Sequence, residues 1–412
     1  MASEAQSGAS TRAARPVRVE RPRDVEGVVD AVRAAVRDGL PVRPVGAGSS
    51  ATGLTATEGV LLDLTGLDRI RSVDPGGGTA EVEPGIRLSR LWPLLWEHGL
   101  GCDSRGGLDH QTLGGAIATG EHGSAAHRGG LASRVQELEM VLADGSVVRC
   151  SAASRPDLFQ AARVGLGAFG VVTAVTLGCD PARDVELAVG ELPRDGFLEQ
   201  VDELVDRFDH VEFAWRPDVD QVLCTTAERL GPGAVPPRAV RTGRGRGHGR
   251  VTGLASVLPG VRMLADRGYR VLGGRRARSP GRESEYAVPR ACFPAVFEEV
   301  RERLEPHQRQ AGSLRVRFGA AEDAWLAMGQ GRETAYLSAS APGAAKFDPF
   351  FAILEAVAAR YDGRPHWGRP HGLRADVLRT RYPRFDDARA VRDRVDPRRV
   401  FRNLHLDAVL GT

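Results

Sequence analysis

Residues 44–53, PVGAGSSATG, follow a short apolar run and set glycine beside small hydroxyl residues. A loop of this kind exposes backbone N–H groups that can converge on an anion without side chains in the way. The segment PVRPVG reads as a strand running into the loop. Two further stretches share its composition: GGLDHQTLGGAIATGEHGSAAHRGG, Gly106 to Gly130, and GLGAFG, Gly165 to Gly170. Neither GAGSSATG nor GLGAFG has the GxGxxG spacing that opens a helix in a dinucleotide fold, or the GxxxxGK(S/T) of a nucleotide triphosphatase. Nicotinamide and ATP readings lose ground. Two small-residue loops on one compact unit are then either ordinary turns or a clamp on the two phosphates of an extended dinucleotide.

Around the loop the pattern alternates helix and strand. Val25, Val28, Val29, Val32, Ala35 and Val36 recur at helical spacing between Arg23 and Leu40, and Gly39 follows as a stop. GVLLDL, Gly59 to Leu64, reads as a buried strand, and SVDPGGGTAEV as a hairpin around Pro75 to Gly78. Leu88 to Leu100 reads as a helix, Asp144-Gly145 joins two alternating runs as a hairpin, and FGVVTAVTLGC closes a compact α+β unit near Cys179. Beyond Asp180 come strands at His210 to Pro217, EYAVPR, Ser313 to Phe318 and Thr334 to Ala339, with helices at Cys292 to Leu304 and Asp348 to Arg360. This is a sheet with helices on one side. A last helix, ARAVRDRV, stops at Pro397.

The chain has 412 residues, more than one hydrophobic core usually covers, which argues for two domains or one with a large insertion. The net charge is +3, from 56 basic and 53 acidic residues, so nothing global points to nucleic acid or a charged membrane surface. The arginine-glycine run Arg238 to Arg250 has no interleaved aromatics for base stacking and reads as a solvated loop. Five scattered cysteines without CxxC spacing give no zinc or redox motif, no metal is expected, and a reducing cytoplasm is the simplest home. No apolar run reaches the roughly 18 residues of a membrane span. VLPGVRMLADRGYRVLGGRRARS, Val257 to Ser279, reads as an amphipathic helix, packed on the protein or making at most a peripheral membrane contact.

PVGAGSSATG, GGLDHQTLGGAIATGEHGS, ELEMVLADGSVV, DLFQAARVGLGAFGVVTAVTL, RPHWGR and RYPRFDDARAVRDRVDPRRVFRNLHL, in that order along nearly the whole chain, resemble the sugar-1,4-lactone oxidase and alditol oxidase family of FAD enzymes. The resemblance implies an α+β fold of the vanillyl-alcohol-oxidase type. A disordered leader over 1–14 precedes a two-subdomain FAD-binding domain over 15–180. A cap domain over 181–380, an antiparallel sheet flanked by helices with a mobile loop at about 231–250, precedes a closing segment over 381–412 near the FAD. It implies a first FAD loop of Gly46, Ala47, Gly48, Ser49 and Ser50. Gly106, Gly107, Thr112, Gly115, Thr119, Gly120, Glu121 and His122 would line a second, with Val171 or Val172 and His366 against the cofactor. A structural turn residue is the alternative reading of His122. Hydroxyls of Thr112 and Thr119 would add neutral donors.

The resemblance further implies oxidation of a hydroxyl-bearing carbon of a sugar-like or specialised small molecule by hydride transfer to flavin N5. Gly106 falls where a residue packs near flavin C4a, and its bare backbone would leave molecular oxygen a path, with hydrogen peroxide as product. The alternatives are a dehydrogenase with another acceptor, or a flavin-binding protein that has lost the chemistry.

Departures from the family pattern sharpen this. Ser49 stands where many relatives have a histidine bonded to the flavin methyl carbon, which implies noncovalent FAD. Arg315 in GSLRVRF matches a family arginine suited to stabilising reduced flavin, but Ser313 replaces an acid two residues before it and Arg369 replaces a lysine. A histidine expected on the next strand has no counterpart in TAYLSASA. Arginine stays protonated and grips carboxylates as a fork, so Arg315 and Arg369 imply an anionic or carbonyl-bearing substrate. His366 and His371 are the base candidates, each equally a packing residue, with Tyr336 a further option, or the proton leaves to water.

Overall fold

The computed structural model describes residues 15–231, 262–272, 282–307, 312–341 and 343–412. The leader expected over 1–14, and the loop expected at about 231–250 apart from Gly231, lie outside the described residues.

The strands Arg18–Glu20, Val60–Asp63 and Val42–Val45 form a parallel sheet in that order. Against it packs the helix Val25–Arg37, whose Val28, Val32 and Ala35 share a core with Val42, Val60 and Leu62. Asp24 caps this helix by accepting from the Gly27 amide at 2.8 Å, a contact worth about 1 kcal/mol. Gly39, at φ +69°, lets the chain turn into the strand that feeds the first glycine loop.

A second sheet orders Ile70–Asp74, Thr79–Val82, Val171–Gly178, Val135–Val141 and Val147–Ser151. Every pairing in it is antiparallel, and Asp144-Gly145 forms the expected hairpin with Gly145 at φ +79°. The Leu88–Glu97 helix packs on it through Leu88, Leu91 and Leu95.

After residue 180 the described residues build an antiparallel sheet of eight strands. At its centre Ser313–Gly319 lies between His210–Trp215 and Thr334–Ala341, and Arg282–Pro289 pairs with the latter. Side chains alternate across a sheet. Leu314, Val316 and Phe318 therefore enter a core with Phe293, Phe297 and Val300 of the Phe293–Leu304 helix, and Leu354 and Val357 of the Ala344–Arg360 helix. Ser313, Arg315 and Arg317 alternate with these apolar residues along the strand, on its other face. The helices thus cover one face and leave the other for polar work.

The chain then returns to the first half of the molecule. Trp367, Leu378, Phe385, Val391 and Leu406 pack in the same core as Leu91 and Phe159.

Two readings of the sequence change. Arg262–Arg267 is a strand paired to Asp184–Pro193, and only Gly268–Val271 is helical, so the amphipathic helix expected there does not form within the described residues. Open backbone groups at a sheet edge outweigh the local helical period. Asp184–Pro193 and Gln221–Arg229, which the periodicity did not mark, pair with each other along their length. Among the described residues no helix is long and apolar enough to cross a membrane, and no three metal-ligating side chains cluster.

Candidate functional site

The Val42–Val45 strand delivers its loop into a cleft. Gly46, Ala47, Gly48, Ser49 and Ser50 line one wall. Thr112, Gly115, Thr119 and the Gly165–Gly167 turn line others, Val172 contributes from its strand, and His366 and Arg369 enter from the returning chain. Among the described residues no amide from Gly46 to Ser50 donates to a protein acceptor. The Thr112 hydroxyl oxygen is buried there without a partner. A Cβ on Gly46 would overlap that same hydroxyl, so a side chain cannot be added where the two loops meet. Unspent donors in a cleft with no lysine in either loop fit the pyrophosphate of an extended dinucleotide. Thr119 lines the cleft, but its hydroxyl donates to the Gly115 carbonyl at 3.0 Å and is spent within its helix.

Arg43, unmarked in the sequence, holds this arrangement. Its guanidinium donates to the carbonyls of Leu54 at 3.0 Å, Gly167 at 3.1 Å, Phe401 at 3.3 Å and Leu166 at 2.8 Å. Burial and the nearby Arg392 lower its pKa to about 9, which leaves it a cation at neutral pH. Asn403 completes the fastening, donating to the carbonyls of Gly53, Leu54 and Ala56.

Other residues of the expected second loop fall outside the cleft lining, and of these Glu121 comes within 4.0 Å of the lining His366. Gly120 caps the Leu113–Thr119 helix at φ +75°, and Val171 is buried in the core with Val141. Gly106 and Gly107 do not line the cleft. The room beside Gly106 is taken by Glu121, whose carboxylate a Cβ there would overlap. Gln111 donates to Glu121 Oε2 at 3.0 Å.

His122 faces the large sheet. Its Nε2 lies 2.6 Å from Glu285 Oε1, its Nδ1 lies 3.2 Å from the Gly123 carbonyl, and Tyr336 stacks on its ring at 3.6 Å. Glu285 also accepts from Arg317 at 2.8 Å and from the Ser338 hydroxyl. Burial pushes the Glu285 carboxyl up, but His122 and Arg317 outweigh it and hold the group well below its ordinary value. Arg317 in turn donates to the His122 carbonyl at 3.2 Å, stitching the sheet to the glycine segment.

Three expected catalytic side chains stand elsewhere. Arg315 is 49% exposed and pairs with Glu212 at 3.4 Å, and the arginine this strand buries is Arg317, two residues on. Tyr336 is buried with its hydroxyl on Glu322 at 3.4 Å, and burial with Glu322 raises its pKa well above 10, which removes it as a base at neutral pH. His371 packs beside Trp367 and His405 with its ring buried, outside the cleft wall. Burial lowers its pKa to about 3. Arg369 does reach the cleft, anchored by Glu283 at 3.1 Å.

A family model described as FAD binding domain matches residues 16–151, and one described as D-arabinono-1,4-lactone oxidase matches residues 251–409. L-gulono-1,4-lactone dehydrogenase of Mycobacterium tuberculosis is 35% identical over 96% of each chain. Alditol oxidase of a Streptomyces species is 32% identical over 86% of each. L-gulonolactone oxidase of Bos taurus is 26% identical over 98% of this chain and 97% of its own. The chain belongs to the sugar-lactone oxidase and alditol oxidase family. As a member of this flavoenzyme family it is an FAD-dependent oxidoreductase. The free amides of residues 46–50 and the orphaned Thr112 hydroxyl are this flavoenzyme's own match to that cofactor.

Proposed function

We propose that the protein oxidises a hydroxyl-bearing carbon of a sugar lactone or alditol, using FAD held without a covalent bond. Residues 15–180 with the closing segment 381–412 hold the cofactor, and residues 181–380 form the cap over it. Bound FAD supplies the two-electron acceptor. The observation that carries this reading is one cleft reaching from the partnerless amides of residues 46–50 to His366 and Arg369 beside the large sheet. Arg369, steadied by Glu283, is the cation that meets a carbonyl or anionic group of the substrate. The described cysteines form no disulfide, which supports a cytoplasmic home.

Glu121 in the room beside Gly106 favours a non-oxygen electron acceptor, as in the mycobacterial relative's name, over oxygen. Anaerobic titration with L-gulono-1,4-lactone and with sorbitol tests the first proposal, and bleaching of the yellow flavin by either is the expected result. A flavin that none of several lactones or alditols bleaches would leave only a flavin-binding role. Readmitted air should then restore colour more slowly than cytochrome c or a quinone, and immediate recovery in air would restore the oxidase reading.

A further inference from the structure

Glu121 differs from the other buried carboxylates near the cleft. Glu285 is enclosed by His122, Arg317 and Ser338, and Glu322 accepts from the Gly130 amide at 3.1 Å and from the Tyr336 hydroxyl at 3.4 Å. Glu121 has a neutral amide, Gln111, on Oε2, and among the described residues no donor on Oε1. Its backbone is pinned on both sides, the amide donating to Ala116 O at 2.9 Å and the carbonyl accepting from Leu131 at 2.8 Å. The side chain is therefore aimed by the fold into the space left by Gly106.

The nearest imidazole is that of His366, which lines the cleft. Its Nδ1 accepts from the Gly368 amide at 3.0 Å, and burial lowers its pKa to about 3, so the neutral ring carries its one proton on Nε2. Nε2 lies 4.0 Å from Glu121 Oε2. That is too long for a hydrogen bond and short enough for one hydroxyl oxygen to sit about 2.8 Å from both atoms.

We propose that Glu121 and His366 clasp the substrate hydroxyl that is oxidised, with His366 Nε2–H donating to its oxygen and Glu121 accepting its proton. This rests on the functional reading above. The carbinol C–H bond breaks and its hydride, carrying two electrons, passes to the FAD. The O–H bond breaks toward Glu121, a C=O bond forms, and the substrate is oxidised as the FAD is reduced. Glu121 is then a catalytic residue and Gln111 its positioning residue.

The test uses the FAD-loaded full chain under nitrogen, mixed rapidly with L-gulono-1,4-lactone or sorbitol. Glu121→Gln should keep its FAD content and melting temperature, bind substrate within about threefold of wild type, and lose about 100-fold or more in the rate of flavin reduction. Reduction within about threefold of wild type overturns the assignment. Glu121→Ala guards against a merely structural effect. Formate, a small carboxylate, should restore its reduction rate at least tenfold, and no restoration in a folded, FAD-loaded variant also overturns the proposal. A wild-type flavin that no lactone or alditol reduces would sink the functional reading itself, whereas wild type and Glu121→Gln reducing alike would sink only the role of Glu121.

Discussion

Gly46 lies against Thr112 so closely that the first glycine loop and the start of the Leu113–Thr119 helix meet backbone to hydroxyl. The cleft's two anion-facing walls therefore share one point of contact. Gly46→Ala must push Thr112 aside and part the walls. FAD affinity should fall at least tenfold, read as the flavin-to-protein ratio after gel filtration, while the fold persists. An unchanged ratio would show that the walls tolerate separation.

Arg317 and Glu285 form a buried pair whose separation strands a charge. Arg317→Met should cost about 3 kcal/mol or more, seen in urea unfolding. Pairing it with Glu285→Gln should return part of that loss, since the double variant leaves no unpaired buried carboxylate. Strict additivity of the two losses would argue against direct coupling.

The same carboxylate sets an acid limit. Its pKa is held well below the ordinary 4.5, so its stabilising contribution is fully present above that value. The contribution is lost as pH falls below 4.5 toward the depressed folded value. Wild type should lose stability over this acid range more steeply than Glu285→Gln, and parallel curves would contradict the pairing.

Ser49 is exposed on the cleft wall and offers no imidazole to the flavin. Acid precipitation should release all the yellow colour into the supernatant. Colour retained in the pellet would mean a covalent link formed elsewhere.

Asn403 spends its side-chain amide on three carbonyls of the 53–56 turn while its oxygen caps the Leu404–Leu410 helix at 2.8 Å. Asn403→Ala should destabilise by about 2 kcal/mol and raise the FAD dissociation constant. Fluorescence of released flavin reads the second effect, and FAD binding as tight as in wild type would separate the turn from the cofactor.

Much of this architecture could be read from residue order because its signals are local. The cap at Asp24, the turn at Gly145 and the strand entering the glycine loop depend on neighbours a few positions away. Arg317 shows where such signals stop. Arg315 and Arg317 share a face by strand period, and only the docking of the sheet on the His122 segment decides which one is buried. Arg43 eluded the sequence for the same reason, since its four acceptors come from segments as distant as Leu54 and Phe401. Arg262–Arg267 misled because its helical period was real while its partner strand lay some 80 residues earlier. The group that fills the room beside Gly106, Glu121, gave no local signal because it arrives around a helix.

Arg43 and Asn403 also order events in time. The loop that begins at Gly46 is fixed by residues 400–403, through Val42 donating to the Val400 carbonyl at 2.8 Å, Arg43 to Phe401, and Asn403 to the 53–56 turn. A nascent chain folds from its beginning as it leaves the ribosome, yet this binding loop stays unfinished until those late residues emerge. A chain cut before Val400 would therefore keep the loop's sequence and lose the contacts that fix it.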